Sequence, residues 1–206
     1  MHAYAITTWQ PSRPYFVLWH TPPLFCFMER KSADYTTANN VLANTVTLVE
    51  KISERDVLMI QTPILFTEDY SELDEPVGIL KTIVDTKAFR AGSPGSEIIP
   101  EMKAFGDRIH TVEGKRGLNA FSNTALDALF SKHHIKNVVL AGAVTSICID
   151  STGRAAHERG HRVTVLSDCT ASRTNFEQNF YCENVFPLYG QVQTSSDFVA
   201  ALDNGG

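Results

Sequence analysis

The run Asn137–Val144, NVVLAGAV, has one polar side chain, and that one comes first. A strand of this kind has no face to turn to water, so it belongs inside a parallel sheet covered by helices on both sides. The rest of the chain supplies what such a sheet needs. Strand-like runs at Tyr15–Trp19, Val57–Leu65, Arg108–Val112, His161–Ser167 and Gln191–Thr194 alternate with helix-like runs. Thr37–Ile52 carries Val41, Leu42, Val46, Leu48, Val49 and Ile52 at helical spacing. A second stripe, Phe121, Ala125, Leu126, Leu129 and Phe130, has Ser122 or Asn123 as its candidate cap. Thr145–Arg159 reads as a helix ended by Gly160, with further helices at Asn175–Val185 and Ser196–Leu202. Between them, Gly78–Val84 is apolar and Arg90–Gly95 reads as a loop. The expectation is one α/β domain over residues 1–206, a three-layer sandwich with a mostly parallel, Rossmann-like sheet of about six strands.

Composition narrows the function classes. Eighteen Lys and Arg against 23 Asp and Glu give a net charge of −5, with no basic run, so neither nucleic acid nor a membrane surface is an expected partner. The early apolar runs Tyr15–Trp19 and Leu24–Met28 are too short for a bilayer span or a secretory core, and the expected location is the cytoplasm. Cys26, Cys148, Cys169 and Cys182 include no CxxC pair and no clustered zinc ligands, so free thiols without metal or cofactor are expected.

In open parallel sheets, sites form beyond the carboxyl ends of the strands. His20, Gln61–Glu68, Lys115, Cys148 and Asp168-Cys169 fall there. Thr145 is a natural N-cap, which places Cys148 in a first helical turn, where free N–H groups and the helix dipole favour a thiolate and could hold an oxyanion. The alternative is a small buried residue packing under the helix. Lys115, in Glu113-Gly114-Lys115-Arg116-Gly117, either supplies a fixed charge to a nearby thiol or is a solvated loop lysine. His157 is nine residues past Cys148 and so points to the opposite helix face; His133 and His134 suit a helix C-terminus; His110 lies within a strand. That leaves His20 as the histidine with a geometric argument, and Glu29, Asp34 and Asp168 as carboxylates at comparable places.

Two motifs together resemble the isochorismatase-like cysteine hydrolases, a family that includes nicotinamidases, N-carbamoylsarcosine amidase and ureidoacrylate-type amidases. One is Lys115-Arg116-Gly117-Leu118-Asn119-Ala120-Phe121, similar to the family's lysine loop. The other is Ala141-Gly142-Ala143-Val144-Thr145-Ser146-Ile147-Cys148-Ile149, similar to its cysteine turn. Ala155-Ala156, Gly160 and Val163–Ser172 follow at matching intervals, and Phe186-Pro187 is like one branch; the likeness covers residues 37–202. It implies Cys148 as nucleophile, Lys115 as the cation beside it, a cis peptide at Ala143–Val144, and an oxyanion hole from the N–H groups of Val144 and Cys148. The implied activity is hydrolysis of a small-molecule amide or ureide C–N bond through a thioester. A homo-oligomer is also implied, with Leu24–Met28 and Phe186–Tyr189 as aromatic stretches that could serve either an interface or the core.

The chain departs from that pattern at its start. Where the family carries a first-strand aspartate as general base, residues 1–36 form an atypical segment and His20 takes the aspartate's place. Either His20 acts as a Cys–His base, or another carboxylate serves, or the chain is catalytically impaired and acts as a binding or assembly partner. The nicotinamidase metal cluster has no counterpart, since residues 61–107 contain no histidine.

Overall fold

The computed structural model describes residues 15–20, 35–93 and 96–204, and for residues 15–20 and 35–39 the backbone alone. Six strands, β1 (Tyr15–His20), β2 (Val57–Gln61), β3 (Ile109–Thr111), β4 (Asn137–Ala143), β5 (Arg162–Ala171) and β6 (Gln191–Gln193), form one sheet in the order β3-β2-β1-β4-β5-β6. Every ladder between neighbours is parallel. The helices are α1 (Tyr35–Ile52), α2 (Gly78–Asp85), the single turn α3 (Pro100–Lys103), α4 (Leu126–Lys132), α5 (Asp150–Glu158), α6 (Asn175–Phe180) and α7 (Ser195–Asp203).

β4 is buried along its whole length, and alternation sends its side chains to opposite layers. Val138 and Leu140 join Leu126, Phe130, Ala155 and Val165 under α4 and α5. Val139 and Ala141 join Leu48, Val49, Ile52 and Phe198 under α1 and α7. α1 meets the sheet through Val41, Leu48, Val49 and Ile52, the stripe its spacing predicts, while Leu42 and Val46 lie at the margin of that contact. A third apolar cluster, built on Ile64, Phe66, Ile83, Phe89, Ala143 and Val144, closes the carboxyl end of the sheet. The site therefore lies beside a packed cap.

Several boundaries differ from the sequence reading for identifiable reasons. β2 ends at Gln61 and not at Leu65, because Pro63 has no N–H for the ladder; Ile64 and Phe66 stay buried, but in the cap. β5 runs on to Ala171, so Asp168 and Cys169 lie inside a strand. The helix expected around Phe121 begins only at Leu126. Ala125 precedes it without a side-chain cap, and Asn123, with φ of 61°, turns the chain before it. Asn175–Val185 splits into α6 and a π-wound turn. Phe186 is fully buried and so serves the core. Leu24–Met28 lies outside the described residues.

Candidate active site

The candidate residues lie at or after the ends of β1, β3 and β4, along the carboxyl edge of the sheet. β1 ends at His20, whose backbone lies in register with Gly142 of β4; the His20 side chain lies outside the described residues, as do Glu29 and Asp34. One residue beyond Gly142, the Ala143–Val144 peptide is cis. Thr145–Ile149 then forms a π-wound turn leading into α5, with Ile149 N–H donating to the Val144 carbonyl at 3.2 Å. Cys148 sits in this turn, 5% exposed. Val144 holds the N-cap position and has no side-chain acceptor to cap with, while the Thr145 hydroxyl donates to Gln178 Oε1 at 2.6 Å. Thr145 is thus a docking residue and not the cap its position suggests.

Lys115 leaves the end of β3 and is buried, 1% exposed, so the solvated-loop alternative fails. Its loop is tied to the helix that follows the cysteine turn, since Ala120 N–H donates to Thr152 Oγ1 of α5 at 3.1 Å. Leu118 of the same loop shares a small apolar pocket with Cys148, Val144, Ile147, Ile64 and Phe89. The cavity volume is about 20 Å³, room for roughly one water. Arg116, next to Lys115, pairs with Glu72 at 3.3 Å and lies over the Phe66 ring, which pins the lysine loop to the cap.

Gly114 supplies the turn into Lys115. Its φ is +98°, and a Cβ there would stand 2.4 Å from the Asn123 carbonyl oxygen. Gly114→Ala is expected to lower stability by about 1–3 kcal/mol and to reduce turnover by shifting the lysine. Urea unfolding and steady-state assays on the purified variant would show both effects. Gly117 has no such constraint, with open space where its Cβ would be.

The remaining candidates are placed elsewhere. Asp168 accepts both the N–H and the hydroxyl of Ser195 at 2.7 Å, anchoring the start of α7, so it is not at the site. His110 is an exposed residue of the edge strand β3, His157 an exposed residue of α5, and His133 caps the C-terminus of α4. Among the described residues, no group of three His, Cys, Asp or Glu side chains is placed to hold a metal. Burial pushes the Cys169 thiol up to about 12 and the Cys182 thiol up to about 11. Neither forms much thiolate near neutrality, so both are expected to stay unlabelled when the folded protein meets iodoacetamide at pH 8, and peptide mass mapping reads this directly.

Sequence reasoning missed the polar seam between the cysteine turn and α6. Ser146 Oγ donates to Glu177 Oε1 at 2.6 Å, and Gln178 Nε2 donates to the Ser167 carbonyl and to Thr170 Oγ1. The (i, i+4) pair of Arg173 and Glu177 was visible in the sequence; a partnership across more than thirty residues was not.

Comparison with known proteins agrees with this architecture. The isochorismatase domain family matches residues 23–197. An uncharacterized isochorismatase family protein of Bacillus subtilis is 30% identical over 104 residues, 50% of this chain and 54% of the relative. Nicotinamidase 3 of Arabidopsis thaliana is 27% identical over 135 residues, 66% of each chain. The chain thus matches about half to two thirds of the length of these curated relatives. Among solved structures, a cysteine hydrolase from Pseudomonas syringae pv. phaseolicola superposes with a TM-score of 0.81 over 100% of both chains at 19% identity. N-carbamoylsarcosine amidase from Thermoplasma acidophilum gives 0.66 at 20% identity, covering 89% of this chain and 96% of its own. At these identities the structural likeness speaks for the fold.

Proposed function

Since the chain belongs to the isochorismatase family, we propose that it is a cysteine-dependent hydrolase of a small-molecule amide or ureide C–N bond. The observation that carries this reading is a buried lysine and a buried thiol, 1% and 5% exposed, each in the segment that follows a strand's carboxyl end, β3 for Lys115 and β4 for Cys148, with the thiol lining an apolar pocket. In this reading the Lys115 ammonium supplies a fixed positive charge to the attacking sulfur and then to the oxyanion.

The Cys148 sulfur attacks the carbonyl carbon, forming the S–C bond and placing negative charge on the carbonyl oxygen. The N–H groups of Val144 and Cys148 hold that oxygen, and Lys115 stabilises the charge. Collapse breaks the C–N bond, and the leaving nitrogen takes a proton and departs as ammonia or an amine. Water then attacks the thioester, the C–S bond breaks, and the free acid leaves with the thiolate restored. His20 is the proposed proton carrier in both halves, because its strand ends in register with Gly142.

A second reading has its own support: β1 ends on His20 where a carboxylate would be the family's base. A catalytically silent protein that binds small amides or assembles with partners would keep this fold. Ammonia release across a panel of primary amides and ureides separates the two. Turnover of any member supports the hydrolase; saturable binding without release supports the silent binder.

A further inference from the structure

We propose that Glu177 and Gln178 of α6 are positioning residues that hold the cysteine turn, through Ser146 and Thr145, in the geometry its chemistry requires. This inference rests on the hydrolase reading above. The first two residues of the turn direct their hydroxyls away from its own backbone and into α6: Thr145 Oγ1 to Gln178 Oε1, and Ser146 Oγ to Glu177 Oε1, each at 2.6 Å. Val144 at the N-cap gives the turn no side-chain bond, and beyond the Ser146 N–H that Ser172 Oγ accepts at 3.4 Å, these two bonds fix its start. Cys148 follows Ser146 by two residues in this π-wound turn, a winding frequent at functional sites.

Gln178 is itself held from two sides. Its amide donates to the Ser167 carbonyl at 3.2 Å and to Thr170 Oγ1 at 3.1 Å, both in β5. Its orientation is therefore set by the sheet, and it transmits that position to Thr145. Glu177 is braced by Arg173, whose Nη2 lies 2.6 Å from Oε1, and the Thr174 hydroxyl accepts the Glu177 N–H at the start of α6. The Arg173 bond, together with that from Ser146, holds the Glu177 carboxyl down at about 2, so it remains an acceptor throughout the working pH range. The rest of α6 has little to do with the core: Phe176 and Phe180 stack on each other with exposures of 80% and 47%. The helix docks by polar contacts to the turn, which makes those contacts its main link to the site.

The test compares Glu177→Leu and Gln178→Met, which delete the acceptors, with Glu177→Gln, which retains one for Ser146. For each, the rate of iodoacetamide labelling of Cys148 at about pH 6.5 is read by peptide mass mapping, alongside the thermal midpoint and kcat and KM on an accepted amide. Glu177→Leu and Gln178→Met are expected to slow labelling and lower kcat by about ten- to a hundredfold with little change in KM. Glu177→Gln is expected to recover most of both. Labelling and kcat that match the unsubstituted protein in all three variants would overturn the proposal, as would losses that merely follow a fallen thermal midpoint without rescue by Glu177→Gln. Slow labelling of Cys148 in the unsubstituted protein would instead overturn the hydrolase reading, so the two failures are distinct.

Discussion

Replacing Cys148 with alanine is expected to lower ammonia release by about 10⁴-fold or more while the protein unfolds at nearly the same temperature. Removing a nucleophile deletes the covalent route itself, and losses of that order or larger accompany such removals elsewhere. The fold should tolerate the change. Cys148 borders a pocket and does not fill a dense layer, and alanine keeps its Cβ among Ile147, Ile64 and Phe89. Cys148→Ser makes the complementary point: the shape is kept, but a hydroxyl at this place is a far weaker nucleophile without a strong base. Ammonia assays with circular dichroism melts on all three proteins give the result. Retained turnover in Cys148→Ala would mean that another group attacks the carbonyl.

The second large effect is expected at Lys115. Lys115→Met preserves most of the side-chain volume in a site only 1% exposed and removes the charge. Turnover should fall by about 10²- to 10⁴-fold, because the developing oxyanion loses its fixed counter-charge. A loss of kcat with the thermal midpoint little changed marks a residue kept for chemistry. A fall in both would mark Lys115 as a structural residue.

The layers, and the positions of Cys148 and Lys115 as candidates past strand ends, were legible in the sequence because both follow from local pattern. Asn137–Ala143 is apolar at every side chain but the first, and a doubly covered central strand is its physical solution. Cys148 and Lys115 became candidates by asking what lies just past a strand. The same local view went wrong where a distant partner decides. Thr145 looks like a cap until Gln178, thirty-three residues on, takes its hydroxyl. Asp168 looks like a strand-end acid until β5 extends past it and Ser195 occupies both carboxylate oxygens. Val57–Leu65 is buried almost throughout, and burial alone does not separate a strand from the packed segment that Pro63 starts.

The proposed hydrolysis requires a covalent bond between Cys148 and the substrate carbonyl carbon. Acid quenching during steady turnover of an accepted amide, followed by mass mapping, is predicted to find the substrate's acyl group on the Cys148 peptide, absent from the peptides of Cys169 and Cys182. Turnover that continues while the Cys148 peptide keeps its unmodified mass, under conditions where thioester hydrolysis has been slowed, would contradict it.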